Sequence, residues 1–199
     1  MNLSDQDGEI LVKIARNAVA EYLKARKRIN LQEDNKSRFD YNSGVFVTLN
    51  KEDNLRGCIG FPTPERKLYQ SIVDAAIASA TEDPRFPQVR YEELNEITFE
   101  VTILTPPVEI KVDNPSEYPS KIKVGRDGLI VKWEFGSGLL LPQVPVEYGW
   151  HEEEFLNNTC MKAGAPQDYW KRKSTMVLKF EGIIFKETEP HGRVVRAFL

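Results

Sequence analysis

A chain of 199 residues can bury a sizeable core without disulfide or metal staples, as one domain or two modest lobes. Its 27 basic and 30 acidic side chains leave a formal charge of -3, which argues against whole-molecule attraction to nucleic acid or an anionic membrane, and no apolar run approaches the roughly 20 residues of a membrane helix. Two cysteines without a disulfide framework or secretory signal point to a reduced, cytoplasmic protein, and Cys58, Cys160, His151 and His191 lack metal-ligand spacing, so neither metal nor cofactor is expected.

Ser4-Asp5-Gln6-Asp7 reads as an N-cap with acidic first-turn residues. Ile10, Leu11, Ile14, Ala15, Ala18, Tyr22 and Leu23 then recur at helical spacing up to a basic tail at 24–28. Residues 45–49 read as a strand, joined as a hairpin through the polar stretch 50–54 to a second strand at 55–61. The second strand carries the densest chemistry of the chain, Leu55-Arg56-Gly57-Cys58-Ile59-Gly60. In an extended segment Arg56, Cys58 and Gly60 share one face and Leu55, Gly57 and Ile59 the other. Glycine weakens a strand interior, so Gly57 and Gly60 point to bends or to the close approach of another backbone or a ligand. Thr63 suits an N-cap, Pro64 a first helical position and Glu65 the positive end of the dipole, which predicts a helix over 64–81 with Leu68, Ile72, Ala76 and Ala80 in one row. Its N-terminus would then lie just beyond the thiol, where it and Arg56 would favour a thiolate or a bound anion.

Pro84 and Pro87 end that helix in a stiff loop, Asp83-Pro84-Arg85-Phe86-Pro87. Residues 97–104 alternate cleanly and put Ile97, Phe99, Val101 and Ile103 on a core side. After Pro106-Pro107 the composition shifts to Gly and Pro, with short strands expected at 122–124, 129–135 and 139–141 and a turn at Arg126-Asp127-Gly128, as a second lobe or a long excursion. A helix over 151–163 has Glu152, Glu153 and Glu154 in its first turn and Gly164 as its stop, and a strand is expected over 175–185. Helices mixed with hairpins indicate an α+β fold, a mainly antiparallel sheet packed by helices, rather than a doubly wound parallel one.

The signature at 55–60, the loop Asp83-Pro84-Arg85-Phe86-Pro87 and the run Leu141-Pro142-Gln143-Val144 leading to Glu147-Tyr148-Gly149-Trp150 together resemble the AMMECR-type domain family. The likeness spans nearly the whole chain in the expected order. One departure is that Gly60 is followed directly by Phe61, where the family usually has a small polar residue or Thr before Phe. The resemblance implies a single domain over 1–199, with a larger lobe carrying an antiparallel sheet, a second, smaller lobe, and the signature near a cleft between them. It supplies no established reaction. It also implies a cytosolic or nuclear location and, in prokaryotes, a pathway link to Memo-type and radical-SAM proteins.

Cys58 is the candidate catalytic residue, a nucleophile or redox thiol; against this stands a small buried side chain and the lack of a nearby His to serve as base. Arg56 and Arg85 suit a carboxylate or phosphate, or else each pairs with an acid to fix its loop, Asp83 being near Arg85. Gly57, Gly60, Phe86 and Gln143 complete the candidate binding set, Phe86 being either a pocket wall or a plug of the core. Gly57-Cys58-Ile59-Gly60 superficially matches a KH-type Gly-x-x-Gly clamp but lies in a strand, and Tyr169 to Lys173 is basic and aromatic yet solitary, so RNA binding is the weakest reading. His151 stands at a helix start and suits a cap. The expected activity is that of an enzyme acting on a small molecule or a modified residue through a cleft lined by Arg56 and Cys58. A noncatalytic adaptor or a module binding an anionic ligand or peptide is the alternative.

Overall fold

The structure is a computed structural model that describes residues 3–197. The first helix, α1 (Asp5–Ala25), starts as its sequence dictates: the Ser4 hydroxyl accepts from the Asp7 N–H while the Asp7 carboxylate accepts from the Ser4 N–H. A short helix, α2 (Glu33–Arg38), which no periodicity announced, precedes the hairpin of β1 (Val45–Lys51) and β2 (Asn54–Phe61). Glu52 and Asp53 form its two-residue turn, both at positive φ (51° and 60°), as the twist of a tight hairpin requires.

The next helix, α3, runs Leu68–Thr81 rather than from residue 64. Its start is displaced because Lys67 bridges Asn42 and the Leu68 N–H bonds the Tyr41 carbonyl at 2.8 Å, which holds the preceding residues extended. The expected strand follows as β3 (Ile97–Leu104), after a 3-10 turn at Tyr91–Asn95, with Ile97, Phe99, Val101 and Ile103 wholly buried. Downstream lie β4 (Val108–Glu109), α4 (Tyr118–Lys121), β5 (Asp127–Trp133), β6 (Gly136–Leu140), α5 (Gln143–Tyr148), α6 (Glu152–Lys162), β7 (Met176–Glu187) and β8 (Val194–Ala197).

Three local expectations in this half are corrected. Residues 122–124 are not a strand, because the Ile122 N–H closes the end of α4 onto Pro119. The turn lies at 124–126, around Gly125 at φ +82°, and the Asp127 carboxylate accepts the Lys123 N–H across it. Residue 135 belongs to the β5–β6 turn, where Phe135 stands exposed instead of continuing a strand.

The described residues divide into two compact units, one formed by the chain up to Leu104 and again from Ile183, the other by Thr105–Gly182. In the first, β2, β1 and β3 form an antiparallel sheet in that order, and β8 pairs Ile184–Glu187 of β7. One face of this sheet packs on α1 and α3, burying Leu11, Ile72, Leu49 and Phe99 in a common core. Beneath it Arg16 forms a buried ion pair with Glu187, which also accepts the Phe99 N–H. In the second unit β4, β7, β5 and β6 pair antiparallel, and the core gathers Leu129, Val131, Phe155 and Trp170. The fold is α+β, with β1 antiparallel to β2 and β3, β7 antiparallel to β4, β5 and β8, and β5 antiparallel to β6.

Candidate functional site

Gly57 and Ile59 of β2 face α3, and the helix comes unusually close. A Cβ on Gly57 would lie 2.1 Å from the Ser79 carbonyl oxygen, so only glycine admits the helix here. Ser79 uses that proximity. Its hydroxyl accepts the Ile59 N–H at 2.8 Å and lies 2.7 Å from the Val47 carbonyl, tying helix, β2 and β1 together. Gly60 answers to the other face: a Cβ there would fall within 2.4 Å of the Phe46 ring, which therefore lies across it.

This packing reverses the expected electrostatics of the thiol. Because α3 returns antiparallel to β2, its last turn, not its N-terminus, meets Gly57, and that turn carries the negative end of the dipole. Burial pushes the Cys58 thiol up; the Thr48 hydroxyl, 3.4 Å from Sγ, and Arg85 pull it down, while Glu100 and Asp83 push it further up. The net direction is above the ordinary cysteine value. An activated, depressed thiol in the resting protein is therefore not what this environment produces.

Both arginines are engaged with acids and carbonyls. Arg85 places Nε 2.9 Å from Asp83 Oδ1 and Nη2 2.7 Å from Oδ2, and Nη2 also donates to the Cys58 carbonyl at 3.3 Å. Asp83 accepts the Cys58 N–H at 2.8 Å, so one carboxylate and one guanidinium satisfy the outward peptide groups of Cys58. Hydrogen bonds from Arg85, then from the Cys58 and Arg85 backbone, overcome burial and hold the Asp83 carboxyl well below the usual carboxylate range. Arg56 donates to the Pro87 carbonyl at 2.9 Å and to Glu93 at 3.3 and 3.4 Å. Burial opposes ionisation of Glu93, yet the Arg90 N–H and the Arg56 guanidinium hold it below its ordinary value. Phe86 is half-buried with the Arg85 guanidinium 5.6 Å from its ring centroid.

Arg56, Gly57, Cys58, Gly60, Arg85 and Phe86 thus gather along β2 and the loop after α3. Gln143 opens α5 in the second unit. There Tyr169 and Trp170 are buried, which removes them as stacking platforms for a nucleic acid, and His151 is the N-cap residue of α6, its N–H held by Glu154. Among the described residues no cluster of His, Cys, Asp and Glu is placed to hold a metal ion, and no helix is long and apolar enough to cross a membrane.

The register adds residues that spacing did not reveal. Thr48 stands opposite Cys58 on one side and opposite Glu100 on the other, so Cys58, Thr48 and Glu100 form a row across three strands, on the face away from α1 and α3. Burial raises the Glu100 carboxyl above its ordinary value, opposed only by the Lys186 ammonium acting at a distance. Glu100 is thus an acid that keeps its proton to higher pH than usual, within electrostatic reach of the thiol.

The AMMECR1 family model matches residues 12–185. The chain belongs to the AMMECR1 family. It is 52% identical over 185 residues to a protein of Methanothermobacter thermautotrophicus, covering 93% of this chain and 96% of that one. It is also 53% identical over 199 residues to a protein of Thermococcus gammatolerans, covering 98% and 97%. Among solved structures it is similar to the crystal structure of an uncharacterized protein from Pyrococcus horikoshii, at 51% identity and a TM-score of 0.85 over 99% of each chain. The segment 55–60 lies within the matched residues, in the strand that Asp83, Arg85 and Arg56 bind to the loop after α3.

Proposed function

We propose that this member of the AMMECR1 family is an enzyme that acts on a small molecule or a modified residue presented to the Cys58–Thr48–Glu100 face. The observation that carries the reading is the three-strand row itself. A thiol and a carboxyl raised by burial sit on one surface, and the hydroxyl that stands between them in register contacts the sulfur. Glu100 answers the lack of a histidine: it is the ionisable group that exchanges a proton with the chemistry at Cys58, and Thr48 orients the sulfur. Arg56 and Arg85 hold the scaffold of this site, each already neutralised by an acidic partner, which leaves the anion-clamp alternative the weaker one. Both cysteines are unpaired, in keeping with a reducing, cytoplasmic location.

Metabolite profiling of a deletion strain tests the reading. Complementation with the wild type should clear the accumulated compound, whereas Cys58→Ser and Glu100→Gln should each leave it in place although both proteins are folded and no less stable than is needed to accumulate. An adaptor would instead be rescued by Cys58→Ser. In parallel, the iodoacetamide alkylation profile of Cys58 should have its midpoint above the ordinary cysteine value, and Thr48→Val should raise it further by removing a hydrogen bond that favours the thiolate. A depressed midpoint would overturn the assignment of Glu100.

A further inference from the structure

A second concentration of charge, in the same unit but sharing none of the Cys58 row, is built around Asp74 of α3. The Asp74 side chain is 10% exposed and holds two guanidinium groups, Arg28 Nη1 at 2.7 Å from Oδ1 and Arg66 Nη2 at 2.5 Å from Oδ2. Arg28 comes from the basic tail beyond α1 and Arg66 from the residues before α3, so two separate segments deliver cations to one carboxylate. These residues line a cavity of about 240 Å³ to which α2 adds Lys36.

A purely structural pin between loop and helix needs one cation. Here two guanidinium groups share one carboxylate, Lys36 lines the same cavity, and its own contact, with Glu33 at 3.3 Å, is an exposed pair of little worth in water. Arg28 and Arg66 have no other acceptor among the described residues, so much of each donor fork is free for a ligand. Ile29, Leu31 and Tyr69 line the same cavity and supply an apolar wall. At about 30 Å³ for each water the space holds roughly eight, below the roughly 300 Å³ at which drug-sized sites begin, so its occupant is small.

We propose that this cavity binds a small phosphate monoester, with the phosphate among Arg28, Arg66 and Lys36 and the organic group against Tyr69, Ile29 and Leu31. The charge selects the class. A phosphate monoester carries between one and a half and two negative charges, roughly, and three terminal oxygens, which matches the excess of cations and their three separate origins; a carboxylate offers one charge and two oxygens.

Isothermal titration calorimetry of the full chain at low ionic strength, with phenyl phosphate, inorganic phosphate and benzoate as probes, tests the assignment. One saturable site per chain is expected for phenyl phosphate, with benzoate and inorganic phosphate each about tenfold weaker or more. Lys36→Gln and Arg66→Gln should each weaken phenyl phosphate by about tenfold, while Cys58→Ser leaves it unchanged. Lys36→Gln removes only an exposed pair and keeps the fold, so it decides the matter even if Arg66→Gln melts early. No saturation by phenyl phosphate, equal binding of benzoate, or unchanged affinity in Lys36→Gln would overturn the proposal. Equal affinity for inorganic phosphate would overturn the role of the apolar wall.

Discussion

The two faces of the β2–β1–β3 sheet are made by the same strands, one residue out of phase, and they are built on different principles. Toward α1 and α3, Gly57, Leu49 and Phe99 stand in register and are closed off from solvent. On the opposite face, Cys58, Thr48 and Glu100 stand in register, half-buried and polar. Packing dictates the first row down to the missing Cβ of Gly57. The second row is not dictated by packing, and its thiol and carboxyl carry raised proton affinities that burial imposes on them. Packing thus sets one face, and the proposed chemistry falls on the other.

Truncation tests this division most severely. Phe99→Ala should cost about 4 kcal/mol, read from urea midpoints, because it empties a wholly buried aromatic site. Thr48→Val on the other face should cost less than about 1 kcal/mol. Comparable losses would show that the faces are not distinct. Gly57→Ala should come next, at about 3 kcal/mol, since the added methyl meets a helix carbonyl rather than a flexible side chain.

Asp83→Asn probes the loop that binds the Cys58 peptide and should cost about 2 kcal/mol, the range of a charge-assisted hydrogen-bond set. Its pH signature is specific. The folded-state carboxyl titrates below its unfolded value, so the stabilisation is complete above an unfolded pKa of about 3.9 and is lost as pH falls through the folded value. The acid limb of the wild-type stability curve should therefore be steeper than that of Asp83→Asn. Glu100→Gln should have the smallest effect and the opposite sign. Its folded-state value is raised, so ionisation at pH 7 works against the fold; the variant should gain stability there, and the gain should vanish below an unfolded pKa of about 4.3.

What the sequence disclosed depended on how local the cause was. Alternation alone located β3 and its buried side, and three successive glutamates followed by a glycine located α6, because pleat, dipole and cap act within a few residues. Pairing of Arg85 with Asp83, two residues away, was one of the readings open from the start. Thr63-Pro64-Glu65 satisfies every capping preference, yet α3 starts at Leu68, since the deciding contacts come from Tyr41 and Asn42. The electrostatics of Cys58 are likewise set from a distance: the direction in which α3 returns decides which dipole end it meets. Glu100 was invisible as a partner, being one polar residue in an alternating strand until two registers place it across from Thr48.

The way Asp83 and Arg85 bind the Cys58 peptide also bears on how copies of this protein meet one another. β2 lies at the end of its sheet, and an end strand with open N–H and C=O groups is a template for strand addition. Here a carboxylate takes the N–H of Cys58 and a guanidinium takes its C=O, so two side chains occupy the positions a neighbouring strand would fill. In this geometry the loop blocks strand addition at Cys58 as well as supporting the strand. Loss of those two contacts is expected to surface as soluble oligomers joined edge to edge, at concentrations where the secondary structure of each copy is still intact.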